Sequence, residues 1–395
     1  MRRALVSMAS ALCLLVAACG VRDAADGPER GRVDSVAPIF EMTAAETGDY
    51  LAEWKYPVAG ANGVRAHRVV YETVAADGTP TTASGLVVVP DTGVQRLRLV
   101  SYAHGTTVRR DEAPSVDGET ERARTVQFAA AGYAAVAPDY LGLGEGPGFH
   151  PYAHAPTEAS ASADLLLAAR SLLAGQGRDL DPNVLVTGFS QGAQAALALA
   201  RELNGGAVEG FAPAAVAAVS GAYAVQEVQA PAALDGRVEG RGAVLYLGYW
   251  ITAMNRIYHF YDDPAEAFQQ PYAQRIEELF DGRHDLLAVS SGLPDTPQKL
   301  LTPRYLELAH NPTGAALRAM ADSDAVCDWT AKVPVRLFAA PGDRSVPFEN
   351  SLRCTKAELG ASAELIDLGD IGHGATVRAA LPRILDWFRE TQPPA

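Results

Sequence analysis

The chain has 395 residues, 48% of them hydrophobic and 20% charged, which excludes a disordered tail or a coiled coil and leaves room for one large domain or two ordinary ones. Its 33 Lys and Arg stand against 47 Asp and Glu, a formal charge of −14, and no basic run follows Arg2-Arg3. The electrostatic footprint of a nucleic-acid binder is therefore missing. Its 4 cysteines are too few for a disulfide scaffold, and none has zinc-ligand spacing.

Met1-Arg2-Arg3 and the apolar run Ala4 to Ala18 have the layout of a secretory signal. The run falls short of the roughly 20 apolar residues that a membrane span needs. It ends in Leu15-Val16-Ala17-Ala18-Cys19, which resembles a bacterial lipobox, with Cys19 as the lipidated first residue of the mature chain. The alternative is an ordinary signal cut nearby. Residues 19–37 are polar and aperiodic and read as a flexible tether. After export only Cys327 and Cys354 remain to pair, either as a disulfide or as two separate buried thiols.

Val64–Val74 and Thr81–Val89 alternate as paired strands about the turn Asp77-Gly78. Leu97–Ala103 reads as a buried strand followed by His104-Gly105-Thr106-Thr107. Glu119–Ala131 reads as a helix stopped by Gly132, and Tyr133–Ala137 as a strand entering Pro138-Asp139-Tyr140-Leu141-Gly142-Leu143-Gly144. Helix Thr157–Ala174, strand Val184–Thr187, helix Gln191–Leu203 and strand Ala214–Ser220 follow. From about 225 to 325 no strand spacing is visible, only helical segments such as Tyr272–Phe280 and Thr302–His310. The alternation resumes with strand Val333–Ala339, helix Phe348–Leu359, strand Ala363–Leu368 and helix Ala375–Arg389. Such alternation predicts an α/β fold with a mostly parallel sheet covered on both faces. Residues 38–224 and 326–395 form its core, and residues 225–325 form a helical insertion.

Gly188-Phe189-Ser190-Gln191-Gly192 lies between a buried strand and an alanine-rich helix. G-x-S-x-G in that context is a nucleophile elbow, in which the glycines let strand and helix pack closely while the serine hydroxyl stands clear. The Gln191 N–H then points at a developing oxyanion. Serine needs a base and an orienting acid, which follow in the order acid then histidine. Asp343, in Pro341-Gly342-Asp343, and His373, in Gly372-His373-Gly374, each sit on a loop after a later strand, so both open on the same sheet edge as Ser190. Asp370 and Asp328 are the competing acids. A second oxyanion N–H is expected from the Gly105–Thr106 stretch, with Thr106 as donor and His104 orienting the loop. Asp139 reads as a loop-bracing carboxylate, with a substrate contact as the other reading. His150 and His154 are separated by Pro151 and adjoin no carboxylate cluster, so neither a metal nor a cofactor is expected.

The HGT loop, the DYLGLG loop, the GFSQG elbow, Gly342-Asp343 and Gly372-His373 together resemble the α/β-hydrolase superfamily, and within it bacterial secreted lipases and esterases. The resemblance covers residues 64–224 and 326–390. It implies Ser190 as nucleophile, Asp343 as acid, His373 as base and backbone oxyanion donors near Thr106 and Gln191. It also places a cap where residues 225–325 lie. Residues 246–261 carry 6 of the chain's 29 Phe, Trp and Tyr. Some of them, Tyr249 and Trp250 first, either line an apolar substrate pocket or form the cap's own core. The expected protein is thus a serine carboxylic ester hydrolase that touches the membrane only through its lipid anchor. A peptidase of the prolyl-oligopeptidase type and a non-catalytic lipoprotein are the alternatives.

Overall fold

The computed structural model describes residues 29–395; the signal segment, Cys19 and the start of the tether lie outside them. The folded chain starts earlier than the sequence suggests. A strand, β1 (Val33–Met42), and a helix, α1 (Ala44–Glu53), precede the first expected element. Residues 33–37, assigned above to the tether, are the first half of β1, which pairs antiparallel with β2 (Val64–Val74) on one side only. An edge strand needs no regular apolar face and tolerates Pro38, which is why its pattern reads as aperiodic. Upstream of it, Arg30 pairs with Asp164 at 2.9 Å and the Gly31 N–H donates to the Glu72 carbonyl. α1 opens on a capping box: Thr43 and Glu46 bond each other's backbone N–H groups.

β3 (Pro80–Pro90) and β4 (Arg96–Ala103) come next, then α2 (Glu119–Ala130), β5 (Ala134–Pro138), α3 (Ala155–Gly175) and β6 (Asp179–Phe189). α4 (Gln191–Gly205) and β7 (Ala212–Val219) complete the first half of the core. The insertion follows as α5 (Ala230–Asp235), α6 (Gly240–Tyr258), α7 (Pro264–Ala267), α8 (Ile276–Leu279), α9 (Leu286–Gly292), α10 (Pro297–Leu300), α11 (Pro303–His310) and α12 (Gly314–Asp324). β8 (Val335–Ala339), α13 (Glu349–Cys354), β9 (Ala363–Asp367) and α14 (His373–Thr391) close the chain.

The strands form one nine-stranded sheet in the order β1-β2-β3-β5-β4-β6-β7-β8-β9. β1, β2, β3 and β5 pair antiparallel, and from β5 through β4 to β9 every pair is parallel. A parallel run puts the carboxyl ends of β4, β6, β8 and β9 on one edge, which is where ligands meet sheets of this kind. Apolar side chains sort into one core on each face of the sheet and a third within the insertion, joined by Val108 and Tyr152. Among the described residues no helix is long and apolar enough to cross a membrane.

Cys327 and Cys354 are bonded, with Cα atoms 5.3 Å apart and 27 residues of separation. The helix expected over Phe348–Leu359 stops at the second of them and gives way to a short 3-10 turn, Glu358–Ala361. The bond closes a loop that contains β8 and Asp343. Restricting a loop of this length in the unfolded chain stabilises the fold by about 3–4 kcal/mol. Cys354→Ser should therefore lower the melting temperature, and thiol titration of the unfolded, unreduced protein should find neither sulfur free. Two titratable thiols at these positions would contradict the bond.

Candidate active site

Ser190 sits between the last residue of β6 and the first of α4, with φ 58° and ψ −120°. This left-handed backbone is strained for a residue with a side chain, and the surroundings hold it: the Ser190 N–H donates to the Val219 carbonyl at 2.8 Å. The two flanking glycines are required by contact. A Cβ on Gly188 would lie 2.0 Å from the Gly192 carbonyl oxygen, and a Cβ on Gly192 would lie 2.0 Å from the Ala103 carbonyl oxygen. Strand, helix and the end of β4 thus converge directly beneath the serine.

His373 Nε2 lies 2.8 Å from Ser190 Oγ, and His373 Nδ1 lies 2.7 Å from Asp343 Oδ2. A carboxylate only accepts, so Nδ1 carries the ring proton and Nε2 is left to accept from the serine hydroxyl. Asp343 Oδ1 accepts the Ser345 and Val346 N–H groups at 2.8 and 2.9 Å, which fixes the carboxylate in its loop after β8. The competing acids, Asp370 and Asp328, are solvent-exposed, and the carboxylate bonded to His373 Nδ1 is that of Asp343. One local expectation is corrected: His373 is not in the loop after β9 but is the first residue of α14, capped by Gly372. The helix thereby fixes the backbone that carries the imidazole.

Thr106 follows β4 at the same sheet edge. Its N–H and that of Gln191, which heads α4 and has no intrahelical acceptor, bond no carbonyl among the described residues. Both amides are free to hold an oxyanion. His104 is fully buried, with its ring centroid 4.3 Å from that of Tyr140 and Nδ1 2.7 Å from the Gly105 carbonyl oxygen, so it orients the loop as expected. Asp139 is fully buried and accepts from Ser84 Oγ at 2.6 Å and from the Ser115 N–H and hydroxyl, which makes it a brace.

Sequence reasoning missed a second layer beneath the elbow. The Gln191 side chain donates through Nε2 to His150 Nε2 at 2.8 Å and to Glu158 Oε1 at 2.7 Å, and His150 Nδ1 lies 3.0 Å from the Leu141 carbonyl oxygen. His154 turns elsewhere, to Thr157 and Tyr258. The two histidines therefore serve different partners. Burial pulls His150 down to about 3 and His154 to about 4, so both are neutral at physiological pH. No local motif marks Glu158; it is one acidic residue in an alanine-rich helix.

Ser190 opens into a cavity of about 340 Å³ between the sheet edge and the insertion, lined by Tyr246, Leu247, Trp250 and Ile251 of α6 and by Tyr305 and Leu308 of α11. Trp250 is on the cavity wall. Tyr249 is not, which corrects its assignment to substrate binding. Neighbouring helix positions point about 100° apart, and Tyr249 instead stacks between Tyr152, at 4.2 Å, and Phe280, at 4.6 Å. Its hydroxyl donates to the Thr107 carbonyl at 3.3 Å, so it braces the HGT loop.

No protein-family model and no curated sequence matches the chain. Solved structures do. The rice cell wall degrading esterase LipA from Xanthomonas oryzae is 26% identical, with a TM-score of 0.81 over 92% of this chain and 98% of its own. A provisionally assigned hydrolase from Legionella pneumophila is 25% identical, with a TM-score of 0.84 over 91% of this chain and 98% of its own. Candida antarctica lipase A, in its closed state, shares the fold at 15% identity, with a TM-score of 0.68 over 92% of this chain and 82% of its own. Elbow, sheet order and neighbours agree: the chain has the α/β-hydrolase fold and is similar in structure to esterases and lipases that share it.

Proposed function

We propose that the protein is a serine hydrolase of carboxylic esters that works through an acyl-enzyme. The observation that carries this reading is the unbroken line from Asp343 through His373 to Ser190, at 2.7 and 2.8 Å, ending at an apolar cavity. Ser190 Oγ attacks the ester carbonyl carbon as its proton passes to His373 Nε2, and Asp343 stabilises the imidazolium. The Gln191 and Thr106 N–H groups take the oxyanion. Collapse breaks the bond to the alcohol, which leaves with the proton from His373. Water then gives a proton to His373 and attacks the acyl carbon, and Ser190 departs with that proton as the acid is released.

The Xanthomonas oryzae neighbour is described as an esterase, which supports esters over amides as substrates. A panel of p-nitrophenyl acetate, butyrate and octanoate beside aminoacyl-proline amides tests the choice; turnover of the amides alone would make the protein a peptidase. Trp250→Ala in the same panel should shift the ratios of kcat/KM among the three esters by about tenfold, since each methylene in an apolar pocket is worth about 1–3 kcal/mol. An unchanged ratio with a lower melting temperature would remove Trp250 from the binding wall.

The protein is further proposed to be exported and anchored at the cell envelope by a lipid on Cys19. The Cys327–Cys354 bond supports this, because such cross-links persist in oxidising compartments. Palmitate fed to expressing cells should label the protein, and Cys19→Ser should lose the label. Labelling that survives the substitution would defeat the anchor.

A further inference from the structure

Gln191 has two ends. Its backbone N–H faces the place where negative charge develops, while its side chain is turned into the protein between His150 and Glu158. Glu158, Gln191 and His150 are 1%, 5% and 6% exposed. Glu158 Oε2 and Gln191 Oε1 have no hydrogen-bond partner among the described residues, and Glu158 makes no ion pair there. A carboxylate so placed would be a desolvated anion without a counter-charge, directly behind an oxyanion donor.

We propose that Glu158 is a positioning residue of the oxyanion hole: as a neutral carboxyl it holds the Gln191 side chain and with it the Gln191 amide, and when it ionises the site loses its hold on the transition state. The inference rests on the ester-hydrolase reading above. Burial pushes Glu158 up to about 8, against the pull of the Gln191 side chain and the Ala153 N–H. The protein is thus active with Glu158 protonated and loses activity as pH rises through that value.

The groups around Glu158 do not share this titration. His150, packed beside it, is already neutral, and burial pushes the Tyr140 and Tyr152 phenols upward. The buried polar side chains of α4 are the uncharged Gln191 and Gln194, and Gln194 donates to the Ser323 carbonyl of α12. On α3 itself Asp164 is paired with Arg30, and at its start His154 meets Tyr258, which donates to Asp322 of α12 at 2.5 Å. Asp139, beyond Tyr140, is pushed up by burial but held back by Ser115 and Ser84.

The test is the pH dependence of kcat and KM on p-nitrophenyl butyrate from neutral to about pH 10, for the wild type and Glu158→Gln, with the melting temperature followed at each pH. The wild type should lose about tenfold in kcat across this range, with KM little changed, as a new negative charge faces the oxyanion. Glu158→Gln keeps a neutral hydrogen-bonding group and should abolish that alkaline fall. A wild-type kcat that stays flat, or a fall retained in Glu158→Gln, would overturn the proposal. Infrared difference spectra of the wild type supply the answer if the variant does not fold: a protonated-carboxyl band at neutral pH should vanish by about pH 10. With glutamate isotopically labelled, absence of that band at neutral pH would also overturn it. Loss of the ester-hydrolase reading is separate, since it would show as no turnover of any ester by the wild type.

Discussion

Ser190→Ala should cut ester hydrolysis by about four to six orders of magnitude in kcat, with the fold intact. Members of a nucleophile–base–acid unit act together, so removing the nucleophile removes nearly all of what the unit supplies. The hydroxyl that the substitution deletes makes one hydrogen bond, to His373, and the backbone at φ 58° is held by the Val219 carbonyl and the glycine contacts rather than by the side chain. Alanine therefore leaves the elbow standing. The check is kcat on p-nitrophenyl butyrate beside an unchanged melting temperature. Near-normal turnover would move the nucleophile elsewhere.

The second large effect is at the acid. Asp343→Asn should lower kcat by about four orders of magnitude, because an amide nitrogen facing Nδ1 favours the imidazole tautomer with its proton on Nε2, which cannot take one from serine. The substitution also weakens the loop, since Asp343 Oδ1 accepts two backbone N–H groups. Asp370→Asn is the control. Asp370 is exposed and its neighbourhood to the Gly342 backbone is steric, so most activity should remain. The reverse pattern would transfer the role of acid to Asp370.

The meeting of the candidate catalytic side chains was legible for a local reason. Ser190, Asp343 and His373 each follow a strand of the parallel run, so chain order and strand direction place them at one edge before any long-range contact is known. Thr106 was legible in the same way, after β4. Facing was not. Tyr249 and Trp250 are adjacent in an aromatic cluster, and composition alone cannot say which one meets the cavity and which one stacks on Tyr152.

β1 was lost because an edge strand paired on one side shows no clean alternation, although the Thr43-x-x-Glu46 capping box was a usable sign of the helix that follows it. The insertion announced its helices but not their limits: the segment expected as Tyr272–Phe280 is a 3-10 turn, Tyr272–Gln274, followed by α8. Glu158 was hidden for a different reason. Its chemistry comes from being buried against Gln191, 33 residues away in sequence, and no spacing rule carries that.

Formation of the proposed covalent intermediate on Ser190 can be measured directly. The mature protein is treated with a fluorophosphonate, digested and read by mass spectrometry, with and without prior incubation with a p-nitrophenyl ester. A single phosphonyl adduct is expected on the peptide that contains Gly188-Phe189-Ser190-Gln191-Gly192, with loss of activity in proportion to labelling and slower labelling when the ester is present. An adduct on any other serine, or full ester hydrolysis by protein labelled at Ser190, would contradict it.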